Sequence, residues 1–515
     1  MNEKSTVYPR KSLVRNIGHD GSEMHCGKTN KFDVDLWEKF EFEINGNVKL
    51  DDRIIMSNYR FRNFGKIRKE VGNLKSLRGK NKSEMDEFGE GLIFLISQPR
   101  AGSTLLQRIL GSHPEMHTIS EPWIMLHPLY ALKRNGIEAE YVSSLARQGL
   151  DDFLTRVPEG EELYIKALQA MASVLYNRML DLSGKSFFLD KTPRYYFIIP
   201  ELYRVFPKAK FIFLLRNPMA VLSSVLRTWF GNKIQALATS PNSKDLIKGP
   251  HYLIDGINKL KEDAIVVHYE NLVGKPEEVI HQVCHRIGIP FYENMLEYGQ
   301  HPAPKGRHGD HVRIHKHNRP VSDYIDKWVE NLTSPGLIEF TYKYLSNLGT
   351  ELVSNMGYSY QEITDKLESR KFNQQGEDLF AKGDLDEALN VFTKALELVP
   401  KNAVTHNNLG VLYDNRGEKD KALNHYQQGA QLQPDNISFQ KNLADFYYVE
   451  QGRVEEAMQI YVKVLNADPE DIETLLVLSH ICVALEKFDD AKYFSNRILK
   501  IEPENKDARK FLEKL

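Results

Sequence analysis

An arginine, a glycine and two hydroxyl side chains stand close together in a short segment near residue 100. The segment 97–106 reads SQPRAGSTLL and places Arg100, Gly102, Ser103 and Thr104 between an apolar run and a helix-like one. A glycine-containing turn before a helix directs several backbone N–H groups outward, and the helix dipole adds partial positive charge at that end. The hydroxyl groups and the planar guanidinium supply further donors. We therefore expect this loop to bind an anionic group.

The loop lacks the lysine that nucleoside triphosphatases carry. In the pattern GxxxxGK[ST] a lysine follows the second glycine, whereas Ser103 follows Gly102 here. Enzymes that cleave ATP normally need that lysine and a magnesium ligand. A P-loop kinase is therefore disfavoured, and the anion is not expected to be the β- or γ-phosphate of ATP.

A second cationic group ends another apolar run, 210–216, which reads KFIFLLR. Arg216 closes this run, and Ser224 follows eight residues later with Ser223 beside it. A dianionic phosphate favours a forked, permanently charged donor together with a hydroxyl group near the start of a helix. The spacing therefore predicts a second phosphate-binding position.

These two loops together resemble the donor site of sulfotransferases that use 3′-phosphoadenylyl sulfate (PAPS). The segment 99–105 is similar to the family's 5′-phosphosulfate loop in the arginine form of the Golgi carbohydrate and tyrosylprotein enzymes, with Ala101 where serine is usual. The segment 268–279, HYENLVGKPEEV, resembles a third family element in which Glu270 is structural. The resemblance implies PAPS as the donor, bound by Arg100, Ala101, Gly102, Ser103, Thr104, Leu105, Arg216, Ser224 and Tyr269.

The same resemblance implies an enzyme in which Glu121, Arg100 and Lys191 act at the sulfuryl group. Glu121 lies 21 residues after Arg100, which is the spacing of the catalytic glutamate in tyrosylprotein enzymes, and is expected to take the proton of the acceptor hydroxyl. Lys191, in LDKTPR, resembles a lysine that contacts the sulfuryl group, and Arg100 is expected to stabilise the leaving phosphate. Three alternatives stay open: a cap or salt bridge for Glu121, an ion pair with Asp190 for Lys191, and a nearby histidine as the base.

The acceptor is less well defined than the donor. The resemblance implies a hydroxyl group on a glycan, a protein tyrosine or a small molecule. Pro122 and Trp123 stand where tyrosylprotein enzymes carry an arginine-containing substrate segment, which argues against an acidic peptide. The indole of Trp123 suits stacking on a sugar face. The acceptor pocket is expected in the segments 123–185 and 229–255, whose composition does not identify the acceptor.

Clustered histidines raise the question of a metal site: they are His301, His308, His311, His315 and His317. They stand among lysines and arginines and lack carboxylate or thiolate neighbours at the spacing of metal ligands. We therefore expect no metal, and contact with the anionic donor or acceptor is the favoured role.

The candidate residues follow strand-like runs that alternate with helix-like segments. Strands are expected at 91–97, 210–216 and 264–269, and helices at 103–110, 219–229 and 275–287. Repeated strand–loop–helix units predict a parallel sheet covered by helices on both faces. The fold class predicted for this part of the chain is a P-loop-like α/β domain.

A different pattern begins near Ser369 and occurs four times. Alanine and proline stand twelve residues apart in each unit: Ala388 and Pro400, Ala422 and Pro434, Ala457 and Pro469, Ala491 and Pro503. A small residue precedes each pair: Gly376, Gly410, Ala444 and Ser479. The pattern resembles the tetratricopeptide consensus and predicts an all-α solenoid of four helical hairpins with a capping helix at 506–515. Its implied role is contact with a protein partner or self-association.

The sequence therefore predicts an N-terminal extension (1–88), a sulfotransferase domain (89–350), a linker (351–368) and the repeats (369–515). A net charge of −2 gives no sign of a nucleic-acid partner, and no apolar run is long enough for a membrane span. Three scattered cysteines and an N-terminus without an apolar segment favour a cytoplasmic location. A catalytically inactive nucleotide-binding scaffold is the alternative outside the enzyme class.

Overall fold

The computed structural model describes residues 89–134, 136–305, 317–322 and 324–513. These residues divide into two compact units: the first contains 89–328 and 343–360, and the second contains 329–342 and 361–513. The expected extension 1–88 lies outside the described residues, as do His308, His311 and His315.

The first unit is built on a five-stranded parallel sheet. Its strands are β1 (Leu92–Ser97), β2 (Met116–Ile119), β3 (Phe187–Lys191), β4 (Lys210–Leu215) and β5 (Ala264–His268). They lie side by side in the order β2-β3-β1-β4-β5, which places β1 at the centre with all six of its residues buried. The α/β prediction is confirmed, and the three strands expected from the sequence are β1, β4 and β5.

The sequence pattern does not predict the other two strands, β2 and β3. β2 has only four residues, MHTI, and Met116 alone among them is buried. β3 reads FFLDK and ends in two charged residues, Asp190 and Lys191, which a pattern of apolar residues cannot identify as strand. Parallel pairing with β1, in which Leu95 is opposite Lys191, brings β3 into the sheet, and β2 then pairs with β3. Sheet pairing thus overrides weak local propensity.

Helices connect the strands of the first unit. They are α1 (Ser103–Gly111), α2 (Leu126–Tyr130), α3 (Ser143–Leu154), α4 (Glu161–Ser183), α5 (Ile199–Val205), α6 (Pro218–Phe230), α7 (Ile234–Ala238), α8 (Ser243–Leu260), α9 (Tyr269–Gly274) and α10 (Pro276–Ile287). The predicted helices correspond to α1, α6 and α10. Proline at the first position of α6 and of α10 suits a helix start, because that N–H has no partner within the helix.

Both faces of the sheet are buried. Ile93 of β1 belongs to an apolar cluster that includes Leu106 of α1 and Ile280 of α10. Phe94 points to the opposite face, because successive strand residues alternate. Its ring centroid lies 5.9 Å from that of Tyr195, which belongs to the 3₁₀ turn Pro193–Ile198 after β3. The sheet is therefore rigidly supported, and its strand ends are fixed positions for side chains.

The remaining helices, which include the repeats, follow from residue 327 onward. They are α11 (Lys327–Glu330), α12 (Pro335–Asn355), α13 (Tyr360–Lys382), α14 (Leu385–Leu398), α15 (Ala403–Asn415), α16 (Lys419–Leu432), α17 (Ile437–Gln451), α18 (Val454–Ala467), α19 (Ile472–Ala484), α20 (Phe488–Ile501) and α21 (Lys506–Leu512). The segment 351–368, expected as a linker, contains the end of α12 and the start of α13. Gly357, at φ 85°, lies between these two helices, and no proline or glycine interrupts the chain from Tyr358 to Gln375.

The small residues of the repeats make room for rings on the following helix. A Cβ atom on Gly376 would lie 2.5 Å from the Phe392 ring, and one on Gly410 would lie 2.6 Å from the Tyr426 ring. These positions explain why the first two repeats carry glycine there: the paired helices approach too closely for a larger side chain. The prediction of an all-α repeat region is confirmed.

Candidate active site

The predicted donor residues lie at the carboxyl ends of neighbouring strands. Parallel strands present these ends at one edge of the sheet, where open α/β sheets bind ligands. The loop after β1 carries Arg100 and Gly102, the loop after β4 begins at Arg216, and Tyr269 follows β5 directly. Because β4 lies between β1 and β5, side chains from three separate segments can meet here.

The loop after β1 has an unusual backbone that leads into α1. Arg100 has φ 69° and Gly102 has φ 102°, both in the left-handed region, and Gly102 is the N-cap of α1. A Cβ on Gly102 would lie 2.5 Å from the Tyr269 ring, so only glycine fits between the loop and that ring. Ala101 is buried, while Ser103, Thr104 and Leu105 form the first turn of α1. The first N–H groups of a helix have no partner within it, so this turn can bind an anion.

Arg100, Arg216 and Ser224 meet across the two loops. The Nε of Arg100 donates a hydrogen bond to the Ser224 hydroxyl at 3.2 Å. The Nη1 of Arg216 donates to the carbonyl oxygen of Arg100 at 3.1 Å. Two guanidinium groups from the loops after β1 and β4 and a hydroxyl group from α6 are thus gathered into one cationic site.

The Arg216 guanidinium is held in a fixed position. Its Cζ lies 4.1 Å from the centroid of the Tyr269 ring, a cation–π contact. Glu270 supports the same loop, because it accepts a hydrogen bond from the Asn217 N–H at 3.0 Å and another from the Tyr358 hydroxyl at 2.7 Å. The Nε of Arg216 is buried and has no hydrogen-bond partner among the described residues. A buried donor without a partner is costly, so this atom is suited to an anionic ligand.

Glu121 and Lys191 form a salt bridge at the ends of β2 and β3. The Lys191 Nζ lies 2.9 Å from Glu121 Oε1, and the two side chains are 1% and 14% exposed. The parallel register places Ile119 opposite Asp190, so the residues that follow each strand are necessarily close. Burial lowers the pKa of the Lys191 ammonium, and the Glu121 carboxylate opposes that shift. The alternative role for Lys191 is an ion pair with Asp190. Among the described residues, Lys191 forms its salt bridge with Glu121 and no hydrogen bond with Asp190.

Asp190 instead accepts hydrogen bonds from three hydroxyl groups. Tyr176 donates at 2.6 Å, Thr192 at 2.8 Å and Tyr195 at 3.1 Å. Complete burial raises the pKa of Asp190 from 3.8 to about 6, although the three hydrogen bonds lower it in part. These bonds fix the end of β3, and with it the position of Lys191.

Arg194 is not predicted as a site residue from the sequence, and the fold places it beside the same loops. Its Nε donates to Asp245 Oδ1 at 2.9 Å and its Nη2 donates to Asn242 Oδ1 at 2.7 Å. Its Cζ lies 5.8 Å from the Trp123 ring. Its position three residues after Lys191 is the one sequence feature that could have indicated a role for Arg194. Its hydrogen-bond partners are about fifty positions away in the chain, so only the tertiary structure identifies them.

The described part of the chain contains no group of three histidine, cysteine, aspartate or glutamate residues that could hold a metal ion. Of the clustered histidines, His317 has its Nε2 3.3 Å from the Tyr324 hydroxyl, and the carbonyl of His301 accepts a hydrogen bond from Arg108.

Among the helices that the structure describes, none combines the length and apolar character needed to cross a membrane.

Comparison with known proteins separates the chain into two parts. The model of the sulfotransferase family matches residues 93–293. Models of tetratricopeptide repeats match residues 376–417, 403–436 and 448–515.

Individual relatives match the first part. Nodulation protein NoeE of Sinorhizobium fredii is 32% identical over 215 residues, which cover 38% of this chain and 50% of NoeE. The protein-tyrosine sulfotransferase of Drosophila melanogaster is 20% identical over 277 residues, or 52% of this chain and 49% of that protein. The chain thus spans about half the length of each of these relatives. A solved sulfotransferase domain from the curacin biosynthetic pathway is 24% identical and covers 50% of this chain and 97% of its own length, with a TM-score of 0.35.

Proposed function

We propose that the chain transfers a sulfuryl group from PAPS to a hydroxyl group of an acceptor, because residues 93–293 match the model of the sulfotransferase family and tetratricopeptide repeats follow. The observation that carries the proposal is the meeting of Arg100 and Arg216, which leave different strands and share a hydrogen bond of 3.1 Å. Two loops this close can contact one nucleotide whose ribose carries phosphate groups at the 3′ and 5′ positions.

The residues present suit a nucleotide with a 3′-phosphate. The buried Nε of Arg216, which has no hydrogen-bond partner among the described residues, offers a charged donor, and Ser224 beside Arg100 adds a hydroxyl group. Gly102 leaves room for close backbone approach, and the first turn of α1 offers N–H groups and the hydroxyls of Ser103 and Thr104 to the 5′ end. PAPS, when bound, supplies a sulfuryl group on a phosphate leaving group.

The residues of the chain then have separate roles. Arg216, Ser224 and Tyr269 orient the nucleotide, and Arg100 neutralises negative charge at the leaving phosphate. Glu121 accepts the proton of the acceptor hydroxyl while that oxygen forms its bond to sulfur. Lys191 holds the Glu121 carboxylate in place and presents a cation to the same point. The acceptor hydroxyl must therefore reach the space between the β1 loop and the ends of β2 and β3.

Ligand-induced thermal stabilisation tests the donor. Adenosine 3′,5′-bisphosphate (PAP) at 100 times its dissociation constant adds about 2.7 kcal/mol to the free energy of unfolding. We expect PAP to raise the melting temperature more than ADP or AMP does, and Arg216→Ala to remove the preference for PAP over AMP. Equal stabilisation by ADP would favour the kinase alternative. An absence of stabilisation by any of the three would favour a scaffold without a donor site.

Substitution of Glu121 tests the base. Glu121→Gln should lower kcat by roughly 10²–10⁴ and leave PAP binding unchanged, because the amide keeps its size but cannot take the proton. His301→Asn serves as the control for a histidine base. A full loss of turnover in His301→Asn with activity retained in Glu121→Gln would reverse the assignment.

The repeats support a proposed role in protein contact. Tetratricopeptide units stack to form extended surfaces, so this part of the chain suits the recruitment of a protein partner or of a second copy of the chain. Size-exclusion chromatography with light scattering distinguishes self-association from a monomer that recruits other proteins. A cytoplasmic location stays a prediction from the sequence.

A further inference from the structure

Trp123 and Arg194 occupy the loops after β2 and β3, on the side of the site away from Arg216 and Tyr269. The ring of Trp123 lies 5.8 Å from the Arg194 guanidinium carbon, and the backbone N–H of Trp123 donates to the Thr192 hydroxyl at 3.4 Å. Both side chains are partly exposed. None of the donor contacts assigned above uses either residue.

The guanidinium of Arg194 is fixed before any ligand arrives. Asp245, whose side chain is 4% exposed, accepts from its Nε and Nη2 at 2.9 and 2.5 Å. Asn242 accepts a further bond from Nη2, while Nη1 makes no hydrogen bond among the described residues. Asp245 is itself anchored, because its side chain accepts from the Tyr196 hydroxyl and its backbone carbonyl accepts from the Gln98 amide. One amino group of an ordered guanidinium thus stays available to a ligand.

The backbone of Trp123 is held in an uncommon conformation. Its φ of 56° lies in the left-handed region, which costs a bulky residue on the order of 1–3 kcal/mol and persists only where the surroundings impose it. The preceding residues include Glu121, whose salt bridge with Lys191 fixes the start of this turn. Trp123 thus has an imposed backbone conformation two residues after the proposed base.

The two cations at and after the end of β3 are each paired with a carboxylate. Lys191 is paired with Glu121, and Arg194 is paired with Asp245. The opposite loops carry Arg216, which forms no salt bridge with a described carboxylate. An acidic acceptor would gain little from these two paired cations, whereas a neutral, hydroxyl-rich one needs only an apolar ring and well-placed donors.

We propose that Trp123 and Arg194 bind a neutral sugar residue that carries the acceptor hydroxyl. The Trp123 ring stacks on the apolar face of the sugar, and the Nη1 of Arg194 donates to one of its hydroxyl groups. Together they hold a neighbouring hydroxyl at Glu121. This inference rests on the proposed sulfuryl transfer and adds the class of acceptor to it.

Binding measurements on the full chain test the inference. PAP is first titrated calorimetrically, and cellotriose, maltotriose and chitotriose are then titrated into the PAP complex while tryptophan fluorescence is followed; Trp123 is one of four tryptophans. We expect at least one trisaccharide to bind and to change the fluorescence. Trp123→Phe and Arg194→Lys should each weaken that binding by about tenfold or more, because the indole face and the forked geometry are lost. Affinity for PAP should stay within about twofold of the wild-type value, since neither residue contacts the donor.

A matched control is Arg204→Lys, which alters an arginine paired with Glu161 on the surface of the same unit. It should change neither dissociation constant. If Arg194→Lys fails to fold, as judged by circular dichroism and by PAP binding, Trp123→Phe decides the question alone.

The outcomes separate the inference from the function on which it rests. Failure of PAP to bind overturns both. Binding of PAP without any trisaccharide binding, or trisaccharide binding that Trp123→Phe leaves unchanged, overturns the sugar site alone. Preferential binding of an acidic tyrosine peptide that depends on Arg194 would also overturn it, in favour of a protein acceptor.

Discussion

The Arg216 guanidinium lies over the ring of Tyr269, with 4.1 Å between Cζ and the ring centroid. The same ring packs against Gly102, and a Cβ atom on that residue would lie 2.5 Å from the ring. Tyr269, the residue that follows β5, therefore contacts both the loop after β1 and the loop after β4. A partly desolvated cation–π pair contributes about 1–2 kcal/mol, which corresponds to roughly 5- to 30-fold in affinity.

Tyr269→Leu should accordingly weaken PAP binding by about 5- to 30-fold, because the guanidinium loses its support. Tyr269→Phe keeps the ring and serves as the matched control, with an expected change of less than about threefold. Isothermal titration calorimetry with PAP measures both. Equal losses in the two variants would place the effect in the hydroxyl group rather than in the ring.

Gly102→Ala should abolish detectable PAP binding and lower the stability of the first unit. The added Cβ meets the Tyr269 ring at 2.5 Å, and φ 102° is a conformation that alanine rarely adopts. Gly184 is the matched control, because it also has a positive φ of 65° but nothing lies within 4 Å of its Cβ position. Gly184→Ala should lower the melting temperature slightly and preserve PAP affinity. A Gly102→Ala variant that binds PAP normally would show that the Tyr269 ring does not pack closely against residue 102.

Asp190 should make the stability of the first unit depend on pH. Folding raises its pKa from 3.8 to about 6, so the folded state favours the protonated form. The resulting penalty is absent below about pH 4, grows as the pH rises to about 6, and is constant above that. The free energy of unfolding of the wild type, relative to Asp190→Asn, should therefore fall by up to about 3 kcal/mol across this interval.

Urea unfolding followed by fluorescence between pH 4 and pH 7 measures that difference. Asp181→Asn, an exposed position on α4, is the control and should show no comparable trend. A pH-independent difference between wild type and Asp190→Asn would mean that the carboxyl ionises as readily in the folded chain as in the unfolded one.

Glu486 stands where three earlier repeats have glycine. Gly383, Gly417 and Gly452 have φ values of 88°, 76° and 63°, and Glu486 adopts φ 60° at the corresponding turn. A residue with a Cβ is strained by about 1–2 kcal/mol in this region, partly offset by the greater flexibility of glycine in the unfolded chain. Glu486→Gly should therefore raise the free energy of unfolding of the repeats by about 0.5–1 kcal/mol, as measured by thermal unfolding. Glu486→Ala should not raise the free energy of unfolding, because alanine also has a Cβ. If Glu486→Ala stabilised the repeats as much as Glu486→Gly does, the cause would be the charge of Glu486 and not its backbone conformation.

Local patterns in the sequence predict the chemistry of each loop and the repeats. The run from Arg100 to Leu105 and the pair of Arg216 and Ser224 are short segments, so their spacing alone indicates anion binding at a strand end. The repeats recur at 34 or 35 residues, because each hairpin uses the same packing against its neighbour. The charged end of β3 is not predicted, since an apolar pattern does not extend over Asp190 and Lys191.

The fold class, the repeat architecture and the two cationic loops can thus be predicted from the chain alone, because they depend on residues that are neighbours in it. Which side chains meet depends on the folded arrangement of distant segments. Arg100 and Ser224 are 124 positions apart, Glu121 and Lys191 are 70, and Arg194 and Asp245 are 51. Each pair is brought together by the strand order and by the helices packed on the sheet, and a sequence pattern carries no information about contacts made at such separations.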